Sequence, residues 1–275
     1  MLEQITPLIL TYNEAANIGR TLERLAWARE IVVVDSFSND ETVEIASSFA
    51  HVRVIQRAFD GHRNQWEFGL REAGIKTPWV LALDADYVLT NDVVGELKSL
   101  DLDAATAGYR ANFIYCINGK ELNSGIYPPV TVLYRLEAAS YVQDGHTQRV
   151  VIDGPVANLR TRLLHDDRKP LSRWLHSQTR YAELEAQKLL AAEPKTLRLI
   201  DRLRLWSIIL PAAMLFYCLI VRGGIFDGWP GFYYAFQRSL AELMLSLYLI
   251  DARCTFSEST RITAMLRRQS SKTAD

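Results

Sequence analysis

The chain has 275 residues, with 31 Lys or Arg against 32 Asp or Glu and a formal net charge of −1. That balance excludes the global basic field on which nucleic-acid binding rests, and the length allows one large α/β domain, alone or with a C-terminal appendage. Cys116, Cys218 and Cys254 form no Cys-x-x-Cys pair and give no zinc signature, which suits a reducing, cytoplasmic compartment; no secretion signal precedes the first strand-like run.

Ile5 to Leu10 is a β-type run that ends at Thr11-Tyr12-Asn13-Glu14, where Asn13 is placed to cap a helix. Ile18, Leu22 and Leu25 follow at helical spacing. Ile31 to Val34 reads as a second buried strand, closed by the polar stretch Asp35 to Asp40; Asp40 can cap a helix with Val43, Ala46 and Phe49 on one face. Val52 to Ile55 predicts a third strand and Gly61 to Ala73 a helix. Trp79 to Asp86, Trp-Val-Leu-Ala-Leu-Asp-Ala-Asp, is an apolar run stopped by two carboxylates. It reads as a buried strand with Asp84 and Asp86 leaving its tip on the same side. Asn91 opens a further helix with Val94 and Leu97 inward. Strand and helix thus alternate four times within about 100 residues, which predicts a Rossmann-like, mostly parallel half.

After Leu100 the pattern changes. Thr106 to Tyr115, Thr131 to Leu136 and Val150 to Ile152 look like strands separated by turns rather than crossover helices, so they predict antiparallel or mixed pairing. A helix is expected from Leu171 to near Pro194. Between Arg160 and Arg204 eleven Lys or Arg stand against six acids. Next comes Leu205 to Val221, without charge but interrupted by Pro211, and then Phe232 to Ile250, which contains Gln237, Arg238 and Glu242. Gly223-Gly224 and Asp227-Gly228 turn the chain between them. Aromatic edges and upstream basic residues make this pair an expected interfacial or re-entrant hairpin on an inner membrane leaflet. A buried helical hairpin, a dimer interface or a single-pass anchor are the alternatives. The expected divisions are 1–104, 105–170 and 171–268.

Three strand ends carry polar clusters: Thr11 to Glu14, Asp35 to Asp40, and Asp84 to Asp86. A parallel sheet brings such ends to one edge, where ligands bind. Neither Gly-x-Gly-x-x-Gly after the first strand nor a Gly-x-x-x-x-Gly-Lys loop is present, so the dinucleotide and P-loop readings fail. Two close carboxylates repel unless a cation lies between them, and a hard divalent ion bridging to phosphate answers that need.

At these residues the chain resembles the inverting glycosyltransferases of family 2, which have the GT-A fold. Thr-Tyr-Asn-Glu follows strand one, Val-Val-Val-Asp-Ser-x-Ser-x-Asp-x-Thr spans strand two and its loop, and Leu-Asp-Ala-Asp ends strand four. The likeness is nearest to the bacterial lipopolysaccharide-core β-glucosyltransferases and runs over at least Ile5 to His165. It implies that Thr11, Tyr12 and Glu14 line the nucleotide pocket, that Asp35 hydrogen-bonds the base, and that Asp84 faces the ribose or sugar. Asp86 would hold Mg²⁺ or Mn²⁺ on the donor pyrophosphate. It further implies a hexose passed from a nucleotide-diphosphate sugar, UDP-linked by expectation, to a hydroxyl of a lipid-linked or cell-envelope glycan.

Two departures stand out. Where the family usually shows Asp-Ala-Asp-Glu, Tyr87 here follows Asp86, and where many relatives carry His-Glu this chain reads Asp144-Gly145-His146-Thr147. Thr147 cannot act as a base, which leaves Asp144 and, behind it, His146. His165 is a candidate phosphate contact or supporting residue. The rival readings are a polyprenyl-phosphate sugar synthase, which needs no base, and an inactive glycan-binding or scaffold relative, which metal-dependent donor hydrolysis would exclude.

Overall fold

The structure is a computed structural model that describes residues 1–102, 105–144, 147–193, 195–206 and 209–272, the side chains of 143, 144, 147 and 255–272 excepted. Four parallel strands, β1 (Ile5–Thr11), β2 (Ile31–Asp35), β3 (Val52–Gln56) and β4 (Trp79–Asp84), lie in the order β3-β2-β1-β4. Helices α1 (Ile18–Glu23), α2 (Thr42–Ser47) and α3 (His62–Arg71) make the crossovers. Side chains alternate across the sheet, and both faces are covered. Ile5, Ile9, Ile31 and Val33 pack with Ile18 and Leu22 of α1 and with Leu25 just after it, whereas Leu8, Val32 and Val34 meet Trp66 and Leu70 of α3. Gly69 lets α3 approach β1, because a Cβ there would fall 2.8 Å from the Leu8 side chain.

Beyond β4 the sheet changes direction. The antiparallel strand β8 (Val130–Arg135) pairs with β4 and with β6 (Gly108–Ile117), which in turn runs parallel to β11 (Val156–His165). The short β5 (Tyr87–Val88), followed by α4 (Asn91–Ser99), closes the far edge antiparallel to β11. The short β7 (Lys120–Glu121) folds back on β6. β9 (Ala139–Asp144) and β10 (Thr147–Ile152) form a separate antiparallel hairpin. The α/β expectation holds, but the sheet is mixed rather than mostly parallel, because after residue 100 no crossover helix joins successive strands and β8 enters antiparallel between β4 and β6. One continuous sheet takes strands from both 1–104 and 105–170.

The remaining chain is helical. α5 (Leu171–Ala191) packs Ala182, Ala186 and Leu189 on Leu245 and Leu249 of α8 (Trp229–Lys272). Between them come α6 (Leu199–Arg204), α7 (Leu210–Phe216) and a π-helical turn, Tyr217–Val221. Pro211 does not interrupt α7 but lies in its first turn, where its missing N–H costs nothing. The chain reverses at Gly223 and Gly228, whose φ of 75° and 66° are left-handed values that glycine adopts freely. Arg204 sits among Glu242 (2.8 Å), Asp201 (3.5 Å) and Glu185 (3.7 Å). Glu242 therefore faces the protein, and among the described residues no helix is long and apolar enough to cross a membrane.

Candidate active site

The parallel pairing sets the site. Thr11 is the register partner of Asp35, and Leu10 that of Asp84, so the three polar strand ends share one edge. The Asp35 carboxylate is fully buried and accepts from Thr11 Oγ1 (2.8 Å), Ser38 N (2.8 Å) and, more weakly, Gln56 Nε2 (3.4 Å). It thus supports the corner between β1 and β2, and the long Gln56 bond is the one most easily exchanged for a ligand. Asn13 caps no helix. It takes a left-handed φ of 56°, donates its N–H to Ser38 Oγ and accepts from Asn39 N, which ties the two loops together. Tyr12 and Phe37 stand exposed at this corner, with the Arg173 guanidinium 5.2 Å from the Tyr12 ring centroid.

β4 ends at Asp84, and Asp86 occupies a turn rather than the strand tip expected from the sequence. The cause lies in the next pairing: the Asp86 carbonyl accepts from Asp166 N (3.0 Å), and Tyr87 pairs with His165 on β11. This leaves Asp86 Oδ2 3.2 Å from His165 Nε2, while Asp86 Oδ1 and His165 Nδ1 are buried without a hydrogen-bond partner. Burial, with Asp86 beside it, pushes Asp84 up to about 6. Burial also works against the Asp86 charge, but His165 and Lys169 outweigh it and hold that carboxylate low. His165 moves the other way: despite its burial, Asp86 and Asp84 raise it above the usual imidazole value. The two carboxylates are therefore driven apart in acidity by their different neighbours.

The segment after β11 closes the site from below. Lys169 Nζ lies 2.7 Å from Glu14 Oε1, and Asn17 Nδ2 bridges Glu14 Oε2 and Asp167 Oδ1 at 2.9 Å each. Burial lifts Glu14 to about 7, although the Lys169 ammonium opposes that rise. Arg20 and Arg168 both hold the Asp166 carboxylate, at 2.6 and 2.9 Å. Sequence reading missed Lys169, Asp166 and the strand that delivers them. The available signal was a period of two: Ala157, Leu159, Thr161, Leu163 and His165 face inward, whereas Asn158, Arg160 and Arg162 are exposed.

Aromatic side chains wall the other side. His165 lies 4.4 Å from Tyr127, 4.8 Å from Tyr115 and 5.5 Å from Tyr87, centroid to centroid. The Tyr87 and Tyr127 hydroxyls are 2.6 Å apart. Tyr87, which replaces a family carboxylate, is thus a buried wall residue. The loop carrying Tyr127 is fastened to the helical hairpin. Asp227 accepts from Asn123 N and Nδ2 and from Ser124 N and Oγ, and the Tyr234 hydroxyl bonds both Ile126 N (2.9 Å) and Ile126 O (3.0 Å).

A hard divalent ion in such a site takes one or two carboxylates and leaves its other positions to water and substrate phosphate. The unpartnered Asp86 Oδ1, with Asp84 and His165 near it, fits that share of the shell. Among the described residues no group of three His, Cys, Asp or Glu is arranged to hold a metal by itself. The two candidates for the base are not brought into view: His146 lies outside the described residues, and Asp144 ends β9 with its side chain likewise outside them.

An uncharacterized glycosyltransferase of Rickettsia bellii is 36% identical over 97 residues, 35% of this chain and 32% of that protein. The lipopolysaccharide core biosynthesis glycosyltransferase LpsC of Rhizobium meliloti is 31% identical over 86 residues, 30% and 31% of the respective chains. The match thus spans about a third of the length of these curated relatives. Among solved structures, S. aureus TarS 1-349 in complex with UDP-GlcNAc is similar at a TM-score of 0.46 and 13% identity, over 91% of this chain and 92% of that one. Glucosyl-3-phosphoglycerate synthase from Mycobacterium tuberculosis, in complex with Mn²⁺, UDP and phosphoglyceric acid, gives 0.43 and 15%, over 67% and 77%. Residues 8–138, just under half of the chain, match the family model of glycosyl transferase family 2.

Proposed function

We propose that the chain is an inverting glycosyltransferase that moves a hexose from a nucleotide-diphosphate sugar, UDP-linked in the first instance, to a hydroxyl. The acceptor is a lipid-linked or cell-envelope glycan of the lipopolysaccharide-core kind, met at the inner leaflet. The observation that carries the reading is the buried, unpartnered Asp86 Oδ1 beside Asp84 and His165 at the carboxyl ends of parallel strands.

In this reading Tyr12 and Phe37 flank the base, and Asp35 holds the corner beneath it, reaching the base by giving up Gln56. Asp84 faces the ribose or sugar. Asp86, steadied by His165, would hold Mg²⁺ or Mn²⁺, which neutralises the charge that develops on a departing pyrophosphate. Lys169 supplies a second cation beneath the same phosphates, kept in place by Glu14. Asp144, with His146 behind it, takes the acceptor proton on the face away from the leaving nucleotide, as direct displacement with inversion requires.

The test is release of nucleotide diphosphate from a panel of nucleotide sugars, with and without EDTA, in wild type and Asp86→Asn. Metal-dependent release that disappears in Asp86→Asn supports the reading. Release unaffected by either change refutes it.

A further inference from the structure

Water-facing helices normally turn polar residues outward and apolar ones inward. α8 does the reverse. Between Trp229 and Ile250 its exposed positions are all apolar, with Phe232, Phe236, Leu240, Leu243, Leu247 and Ile250 forming one stripe. Its polar Glu242 and Ser246 are buried on the opposite side. The same holds across the turn, where Phe216 is 60% exposed and Phe226, at the tip, 87%. From Ile209 to Ile250 the one exposed charge is Arg222.

We propose that the outer face of the α7–α8 hairpin docks on an anionic phospholipid leaflet. An apolar face of this extent marks an interaction surface, and its charge selects the partner. From Lys195 to Ile250 every exposed charged side chain is a cation: Lys195, Arg198, Arg202 and Arg222. The three acids of that stretch are held by neighbours, Glu242 and Asp201 by Arg204 and Asp227 by Asn123 and Ser124. Aromatic and aliphatic residues bordered by cations are the composition of a helix lying in a membrane interface. Two copies meeting through this face would bring like charges together. No described helix is long and apolar enough to cross a membrane, so the hairpin lies on the leaflet. Its inner side reaches the site, since Tyr234 packs 4.9 Å from Tyr115 and bonds Ile126, next to Tyr127. The inference gives the lipid-linked part of the proposed function a physical surface, and it is read without turnover.

The experiment is flotation of the full chain with vesicles of phosphatidylethanolamine and phosphatidylglycerol, compared with phosphatidylcholine alone. Wild type and Asp86→Asn should float equally with the anionic vesicles and resist release by salt. The triple variant Phe236→Ser, Leu243→Ser, Leu247→Ser should lower the bound fraction by more than roughly tenfold, since each exposed apolar side chain contributes its burial free energy. Its melting temperature should stay nearly level, because these side chains are exposed. Arg202→Glu with Arg222→Glu should weaken binding to anionic vesicles and leave the melt unchanged. Wild type that stays in solution beside anionic vesicles, or a dimer that the triple variant dissolves, overturns the proposal. Should flotation hold while donor release fails, the transfer reading alone falls.

Discussion

The carboxyl edge of the sheet and the helical hairpin treat charge in opposite ways. At the edge, apolar strands are buried and their ends present carboxylates: Asp84 and Asp86 follow Leu81 and Leu83, both nearly inaccessible. In the helical region the carboxylates of Glu242 on α8 and Glu185 on α5 are buried on Arg204, and the apolar side chains of the hairpin point outward. Burying like charges side by side at the edge costs stability and favours a cation, whereas the carboxylates buried between helices are held by a guanidinium already in place. The first arrangement asks for a ligand, and the second frees a whole face for one.

The sharpest way to break the comparison is at Asp86. Asp86→Asn should lower transfer by roughly 10²- to 10³-fold or more, the scale of losing one electrostatic support of the leaving group. The melting temperature should stay level or rise, because repulsion from Asp84 is relieved. A steady-state assay and a thermal melt on the same preparation check both. At the hairpin tip, Asp227→Ala removes four hydrogen bonds from the Asn123–Ser124 loop and should reduce kcat/KM for the acceptor by about tenfold, through misplacement of Tyr127, with donor affinity unchanged.

Stability separates the two faces of α8. Glu242→Ala should cost about 3 kcal/mol by leaving Arg204 short of its nearest carboxylate, whereas Leu243→Ser on the outer face should stay within about 0.5 kcal/mol. Urea unfolding of the two variants makes the contrast direct. A smaller effect belongs to Glu14. In the unfolded chain this carboxyl titrates near 4.5, and in the fold near 7, so the folded state holds the extra proton and stability falls as pH rises between those values. Lys169, raised above 10.5, contributes no slope in that window. Glu14→Gln should reduce the fall of melting temperature with pH between 4.5 and 7, leaving the share that Asp84, raised to about 6, contributes.

The parallel half was legible in the sequence because continuous apolar runs such as Ile31 to Val34 and Trp79 to Leu83 permit little besides buried strands. Asp35, Asp84 and Asp86 were legible as residues, but their surroundings were not. That Asp35 is enclosed depends on Ser38 and Gln56 from other segments, and that Asp86 leaves the strand depends on β11, which pairs across 79 residues of sequence. The period of two in β11 was obscured by Arg160 and Arg162, which interrupt its apolar run while pointing outward. In the hairpin the apolar content was plain. Its direction was not, because Glu242 reads as a solvent-facing residue until Arg204 is placed against it.

The central claim is that Asp86 joins metal and donor at the carboxyl edge, and thermal protection by a UDP-sugar tests it most directly. The account predicts a rise in melting temperature that needs both the nucleotide sugar and Mg²⁺ or Mn²⁺, and that vanishes in Asp86→Asn. Equal protection in EDTA, or in Asp86→Asn, would contradict it.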